Sequence, residues 1–501
     1  MEPVYQTLKI DGAKEKYLKT FTVQKKTDKS QEEISRILSV SSSVYSGTTA
    51  IDKNVVSFSG KVVYYVCYLD ENGNVKKYET AQEFTESVVV EKEEDVCDVL
   101  VSVNTLKTGE EFDGGALSLS VTLEAIVETV SCREVSVFSD GENVVADKKE
   151  IEYTKSLGSR KSVYPVEDEF DLPFPVCDVL SQRLNATVTA VQCGVGCVIV
   201  DGEIYLDALL LQNEEKRDII KEEKAIPFRM EVEYGEAMPQ MLATSTVKEK
   251  SLKTDVSVDE ETGKSTVNVI INLEFTAEVF ENRSLLMTSD VFSTTEDLKV
   301  DVITECFSLP EKKCVTSQKI IEKTEISPLE ADVSIMATTV ENVSITTYSE
   351  TDEGLKVEGE ATFFVYAKGT AGVNVIKAKT PFDIIVDCPI LDAENKKVLA
   401  VGKCATTRIV SLSELEISFD LVVSVSATKN GKFVCVKDVC SLGEKQVCDC
   451  ALSVYISYPG EELWSLAKRL NESPERILMT NKDLQFPLTG DERIVVYRQK
   501  Q

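Results

Sequence analysis

Three stretches decide the fold: residues 58–69, "FSGKVVYYVCYL"; residues 200–211, "VDGEIYLDALLL"; and residues 357–368, "VEGEATFFVYAK". Each opens around a glycine (Gly60, Gly202, Gly359) and continues in β-branched, aromatic and aliphatic residues, the composition of a strand. Each is followed by a phenylalanine that leads into the next strand: Phe84 in "AQEFTESVVV", Phe228 in "AIPFRMEVEY" and Phe382 in "KTPFDIIVDC". The glycine-to-phenylalanine offsets are 24, 26 and 23 residues. A third landmark reads as a hairpin ending in aspartate, from Leu123 to Asp140 and from Leu273 to Asp290; its third copy, Phe419 to Asp438, is two residues longer around a Lys-Asn-Gly turn. Three ordered landmarks with one period of about 150 residues make an internal repeat.

Ahead of each copy lies a segment readable as helical or extended, "EEISRILSV", "PVCDVLSQRLNATV" and "PLEADVSIMATTV". Turn signals such as "ENGN" at 71–74 suit tight hairpins. The expectation is a mainly β protein, with three β-sandwich-like repeats at 1–155, 160–315 and 318–450 in a rod-like or stacked body. The polar stretches 147–165 and 308–318 read as links between them.

The chain has 501 residues, enough for three or four domains, and no apolar run of the roughly 18 residues that a membrane-spanning helix needs. Its N-terminus carries Glu2 where a signal peptide is basic, so a cytoplasmic protein is expected. With 85 acidic against 55 basic residues, the net charge of −30 repels phosphate backbones, and nucleic acid is not an expected partner. Histidine is absent, which removes Ser-His-Asp, Cys-His and HExxH chemistry. The fourteen cysteines read as reduced, small apolar side chains on strands. Neither Cys193/Cys197 nor Cys448/Cys450 has zinc-knuckle spacing, so no metal and no cofactor are expected. Gly263-Lys264-Ser265 resembles the tail of a phosphate loop, but the first glycine of that motif is replaced by Val258, and a hairpin turn is the better reading. Paired carboxylates such as Asp201/Glu203 and Asp168/Glu169 read as solvated surface, and no enzyme is expected.

After Asp449 the pattern becomes strand, helix, helix, strand. "ALSVYISY" alternates, Pro459-Gly460 breaks it, and Leu463, Leu466, Ala467 and Leu470 then stand on one helix face. Glu461 and Glu462 fall at the start of that helix and Lys468 and Arg469 at its end, as the macrodipole favours. Ser473-Pro474 signals the cap and first position of a second helix, and "DERIVVYR" closes the unit. Trp464, the only tryptophan, lies about 100° from the apolar stripe, which leaves packing within the module and an interface role both open.

These residues resemble a LysM domain over 452–498, with Gly460, Leu463, Trp464, Leu466, Ala467, Asn481, Gly490, Ile494 and Val496 at matching positions. Together with "DVFSTTEDLKV" and "DVCSLGEK" after the repeat-ending aspartates, three such repeats and one terminal LysM resemble the SPOCS-domain spore-coat assembly proteins of endospore-forming Clostridia. The resemblance implies a small βααβ LysM fold at the C-terminus and a non-enzymatic adaptor on the mother-cell side of the developing spore. Its implied partner is the coat-basement morphogenetic ATPase of the SpoIVA type; peptidoglycan glycan is the alternative ligand. The binding residues carried over from the family groove are Gly460, Glu461, Glu462, Leu463, Trp464, Asn481 and Leu484.

Overall fold

The computed structural model describes residues 2–11, 14–30, 33–90, 96–113, 116–212, 218–330, 332–370, 372–387, 395–445 and 451–497. The fold is mainly β, built of small antiparallel sheets, with two short helices near the C-terminus. The first unit contains β1 (Pro3–Asp11), β2 (Glu15–Ser30), β3 (Arg36–Asp52), β4 (Val55–Leu69), β5 (Val75–Val89), β6 (Val96–Asp113) and β7 (Ala116–Gly141). The second contains β8 (Val145–Leu172), β9 (Val176–Cys193), β10 (Cys197–Gln212), β11 (Ile219–Glu233), β12 (Leu242–Asp259) and β13 (Lys264–Phe292). The third contains β14 (Glu296–Ser308), β15 (Lys312–Glu325), β16 (Ser334–Thr351), β17 (Gly354–Gly369), β18 (Gly372–Val386), β19 (Asn395–Ser411), β20 (Glu414–Thr428) and β21 (Asn430–Glu444).

One pairing scheme recurs. A meander of three strands (β3-β4-β5, β9-β10-β11, β16-β17-β18) shares a core with a second sheet of three (β2-β7-β6, β8-β13-β12, β15-β20-β19). Beyond that core the leading and closing strands continue together as a two-stranded arm: β1 with the end of β7, the start of β8 with the end of β13, and β14 with β21. The segments left open as helical or extended lead into the strands β3, β9 and β16 and form no helix among the described residues.

The glycine and phenylalanine landmarks turn out to be one contact made three times. Gly60 stands opposite Phe84, Gly202 opposite Phe228 and Gly359 opposite Phe382 across the same hairpin. In each unit the buried aromatic ring lies over the space a Cβ would fill. Glycine covered by a cross-strand aromatic keeps the ladder while making room for a large core side chain. The unequal offsets come from the loops that join the paired strands. "ENGN" forms the expected turn, with Gly73 at φ +75° and the Asp70 carboxylate accepting from the amides of Asn72 and Asn74. Gly263 likewise sits at φ +65° in the turn joining β12 to β13, and Ser265 Oγ accepts from the Val176 amide, so this is a hairpin rather than a phosphate loop.

Several expectations are corrected, among them the reading of 308–318 as a link between units: β14 ends at Ser308 and β15 begins at Lys312, so this stretch lies inside the third unit. The segments ending at Asp140 and Asp290 are not hairpins: each lies in one continuous strand, β7 or β13, that changes register as it passes from core to arm. Only the third copy is interrupted, between β20 and β21. Residues 147–165 are not a link but most of β8, hydrogen-bonded along β13, because a charged strand with one solvated face has the same polarity as a linker. Nor are all the cysteines reduced: Cys132 is disulfide-bonded, whereas Cys67, Cys193, Cys197 and Cys435 are free. Strand alternation within one segment carries no information about which thiol a neighbouring strand brings. Cys448 and Cys450 lie outside the described residues.

The body is not a rod, since each unit touches both others around a shared axis. Cys67, Leu209 and Tyr366, each seven residues after its landmark glycine, meet in one buried cluster. Val75, Ile219 and Val373, each nine residues before its phenylalanine, join them. At the far end Val137, Met287 and Cys435, each three residues before its repeat-ending aspartate, close the arms against one another. Polar seams follow the same cycle. Ser43 Oγ donates to Gln182 O at 3.0 Å, Arg183 Nη1 to Val340 O at 2.6 Å and Asn342 Nδ2 to Leu106 O at 3.1 Å, so each leading meander strand donates to the next unit.

Two outcomes follow. Gly202→Ala is expected to destabilise the chain by about 3 kcal/mol or more in denaturant unfolding, because the added methyl overlaps both the Phe228 ring and the Thr187 carbonyl oxygen. Adding Phe228→Ala removes only the first overlap, so the double variant is expected not to recover. Asp207 lies in the axial seam, where burial pushes its carboxyl up to about 6 against the opposing pull of Lys221 and Arg183. The folded state therefore keeps this proton to higher pH than the unfolded chain, and the contribution of Asp207 to stability falls as pH rises from about 4 through 6. Asp207→Asn should flatten that part of the stability profile by up to roughly 3 kcal/mol.

Candidate functional site

The C-terminal module consists of β22 (Leu452–Ile456), α1 (Leu463–Leu470), α2 (Pro474–Thr480) and β23 (Arg493–Tyr497), with β22 and β23 antiparallel. Leu466, Ala467 and Leu470 are buried on the face their spacing requires, and Ile477, Leu488, Ile494 and Val496 complete a small core. α1 starts two positions later than the sequence suggests, so neither Glu461 nor Glu462 lies in its first turn; Glu462 is the N-cap residue and makes no side-chain cap. Ser473 caps α2 as expected, its Oγ accepting from the Arg476 amide, with Pro474 at the first helical position.

The two loops of the carried-over groove are tied to each other. The Gly460 amide donates to Leu488 O at 2.7 Å, and the Leu488 amide returns a bond to Glu461 O at 3.0 Å. Gly460 has φ +76°, a conformation that favours glycine. Glu461 is buried and committed: Arg469 donates to its two oxygens at 2.7 and 2.8 Å, and the Tyr458 amide adds a third bond. These bonds from Arg469 hold its carboxyl below the usual range against burial. Asn481 is also structural, since its amide donates to Ile477 O and Val495 O and accepts from the Val495 amide, pinning the end of α2 to β23. Leu463 and Leu484 are half-buried against the module core, while Gly460 and Glu462 are exposed.

Trp464 has turned to the second repeat. Its ring meets Phe292 edge-on, with centroids 5.3 Å apart, and its Nε1–H donates to Asp290 Oδ2 at 2.9 Å. One helical turn on, Lys468 Nζ donates to both oxygens of the same carboxylate at 2.8 and 2.7 Å. Asn471 Nδ2 donates to Thr294 O at 2.8 Å, and Lys445 Nζ reaches Asn471 Oδ1 at 2.8 Å. Asp290 is one of the three repeat-ending aspartates, and in all three the carboxylate accepts from the amide of the next residue. Beyond that bond they differ. Asp140 takes Lys148 at 3.1 Å, Asp438 takes the Tyr5 hydroxyl, and Asp290 takes the module. Phe292 sets the second repeat apart, because Glu142 and Cys440 stand at the corresponding places. Thus the partners missed by sequence reasoning were Asp290, Phe292, Thr294, Lys445, Lys468 and Asn471, and Asp290-Val291-Phe292-Ser293 was the available signal.

Among the described residues no three His, Cys, Asp or Glu side chains gather as a metal site, and no helix is long and apolar enough to cross a membrane. Comparison of the chain with protein-family models, with curated proteins and with solved structures finds no match in any of the three.

The docked geometry predicts a spectroscopic change. Asp290→Ala removes the partner of both Trp464 and Lys468 and is expected to weaken docking by about 1–2 kcal/mol, with a red-shifted Trp464 emission and faster amide exchange over 463–471. Burial raises the Asp290 carboxyl, but Lys468 and Trp464 outweigh it and hold it below its ordinary value. Docking is therefore expected to persist from neutral pH and to be lost only as pH falls below about 4.

Proposed function

We propose that this chain is a non-enzymatic structural adaptor in endospore coat or envelope assembly. Its three units are read as SPOCS-type β-sandwich repeats, and its C-terminal module as a LysM-like docking head. The partner in this reading is a coat-basement morphogenetic ATPase, met on the mother-cell cytoplasmic side of the forespore. One observation carries the docking role: the Trp464–Lys468 side of α1 is anchored on the second repeat, while Gly460, Glu462 and Asp483 in the groove loops stay exposed. A head fixed on one side and open on the other suits transmission of position from body to partner. A hinged head would transmit less.

The glycan reading is the weaker one. Sugar binding here would fall to the single tryptophan, whose ring packs against Phe292 and whose Nε1–H is committed to Asp290. The free loops are also acidic at Glu462 and Asp483, which favours a basic protein surface over a neutral glycan.

The test is a binding titration of the full chain against the coat-basement ATPase, with peptidoglycan fragments and chitin oligomers in parallel. Salt-sensitive binding to the protein alone is expected. Glu462→Lys is expected to weaken it about tenfold without changing the melting temperature, and Leu463→Glu to abolish it by disrupting the α1 face. Saturable glycan binding with no response to the ATPase would replace this reading with the peptidoglycan one.

A further inference from the structure

Where the three arms converge they leave a cleft of about 400 Å³, which is within the range of small-molecule sites. All three units build it: Leu8 comes from β1, Tyr153 from β8, Leu285 and Met287 from β13, Phe307 from β14 and Phe433 from β21. The aromatic wall is held from behind. Phe307 stands opposite Gly431 and its ring fills the place of the missing Cβ, while Tyr153 and Phe433 lie 6.3 and 6.2 Å from it, centroid to centroid. Protein interiors normally close such apolar space by interdigitation, so a cleft walled by side chains this large is a site shaped for an apolar body.

Its charged groups are of one sign. Lys9, Lys155 and Arg283 line the cleft and no aspartate or glutamate does, in a chain where acids outnumber bases 85 to 55. Lys9 is paired with Glu134 at 3.0 Å and Arg283 with Glu281 at 2.7 Å, both on the exposed surface. Lys155 is half-buried and has no ion pair among the described residues. A half-buried lysine without a counter-ion, beside an apolar cleft, is the complement of an anionic head on an apolar tail.

We propose that the inter-arm cleft binds a single-chain amphipathic carboxylate of fatty-acid type, with its acyl chain between Leu285, Met287 and Phe433 and its carboxylate on Lys155. None of the residues lining this site belongs to the C-terminal module, and the site stands whether or not the module docks a protein.

The experiment is isothermal titration of the full chain with octanoate, nonanoate and decanoate below their micellar concentrations, with decanol and decyltrimethylammonium as neutral and cationic comparators. One saturable site for decanoate is expected, with affinity rising about fourfold per methylene along the series. Lys155→Glu, a partly exposed position that leaves the apolar wall intact, should weaken decanoate at least tenfold and abolish its preference over decanol. Leu285→Asp should remove binding of decanoate and decanol alike. Absence of saturable decanoate binding, equal affinity for decanoate and decyltrimethylammonium, or an unchanged affinity in Lys155→Glu would each overturn the assignment.

Discussion

The central meander strands β4, β10 and β17 are buried on both faces, and the rest of the body follows from that constraint. A strand at the middle of a three-stranded sheet finds one apolar layer in its own unit, where Tyr64, Ile204 and Phe363 face the sheet that carries β7, β13 or β20. Its other face, with Cys67, Leu209 and Tyr366, has no partner inside the unit. Three units that each carry one such surplus face can satisfy it by meeting at an axis, which a linear stack of the same units would leave half exposed. Closure at the opposite end through Val137, Met287 and Cys435 then fixes the angle of the arms, and with it the cleft between them.

Symmetry of this kind leaves equivalent positions free to diverge, and the three repeat-ending aspartates show the divergence. Their local geometry is the same, because each follows a register change in the closing strand and each caps the next amide. Their outer partners are a lysine of the following strand, a tyrosine of the first strand and the helix of the terminal module. A single aromatic, Phe292, converts one of three similar arm tips into the seat for Trp464.

Much of the repeat was legible because it is written in residues whose geometry is unforgiving. Gly202 cannot be anything larger beside Phe228 and the Thr187 carbonyl, so the same glycine–phenylalanine pair marks all three units although the residues around it differ. The closed arrangement was missed in favour of a rod, although the unbroken apolar runs "VVYYVCYL" and "FFVYA" signal it, since a strand buried on both sides loses its alternation. The false hairpins had a physical cause. Polar stretches such as "SCRE" at 131–134 and "FENRS" at 280–284 resemble turns, but they mark where a continuous strand leaves the core for an arm. In the module, the helix face and the Ser473 cap were legible from local spacing. The orientation of Trp464 was not, because it depends on a carboxylate 174 residues earlier.

The pairing of the first strand of a unit with its last has a consequence for synthesis. β8 ends at Leu172 and its partner β13 begins at Lys264, so a ribosome adding 5–20 residues per second leaves β8 unpaired for roughly 5–18 s. Over that interval 28 residues of open strand edge are available to any neighbouring chain, the usual route to mispairing. Only Val166 and Leu172 of those residues become buried in the folded protein, and lysines, arginine and acidic residues are spread among the others. The apolar share of the interface is carried instead by β13, which emerges last and meets a template already made, so the strand that must wait is the one least able to aggregate.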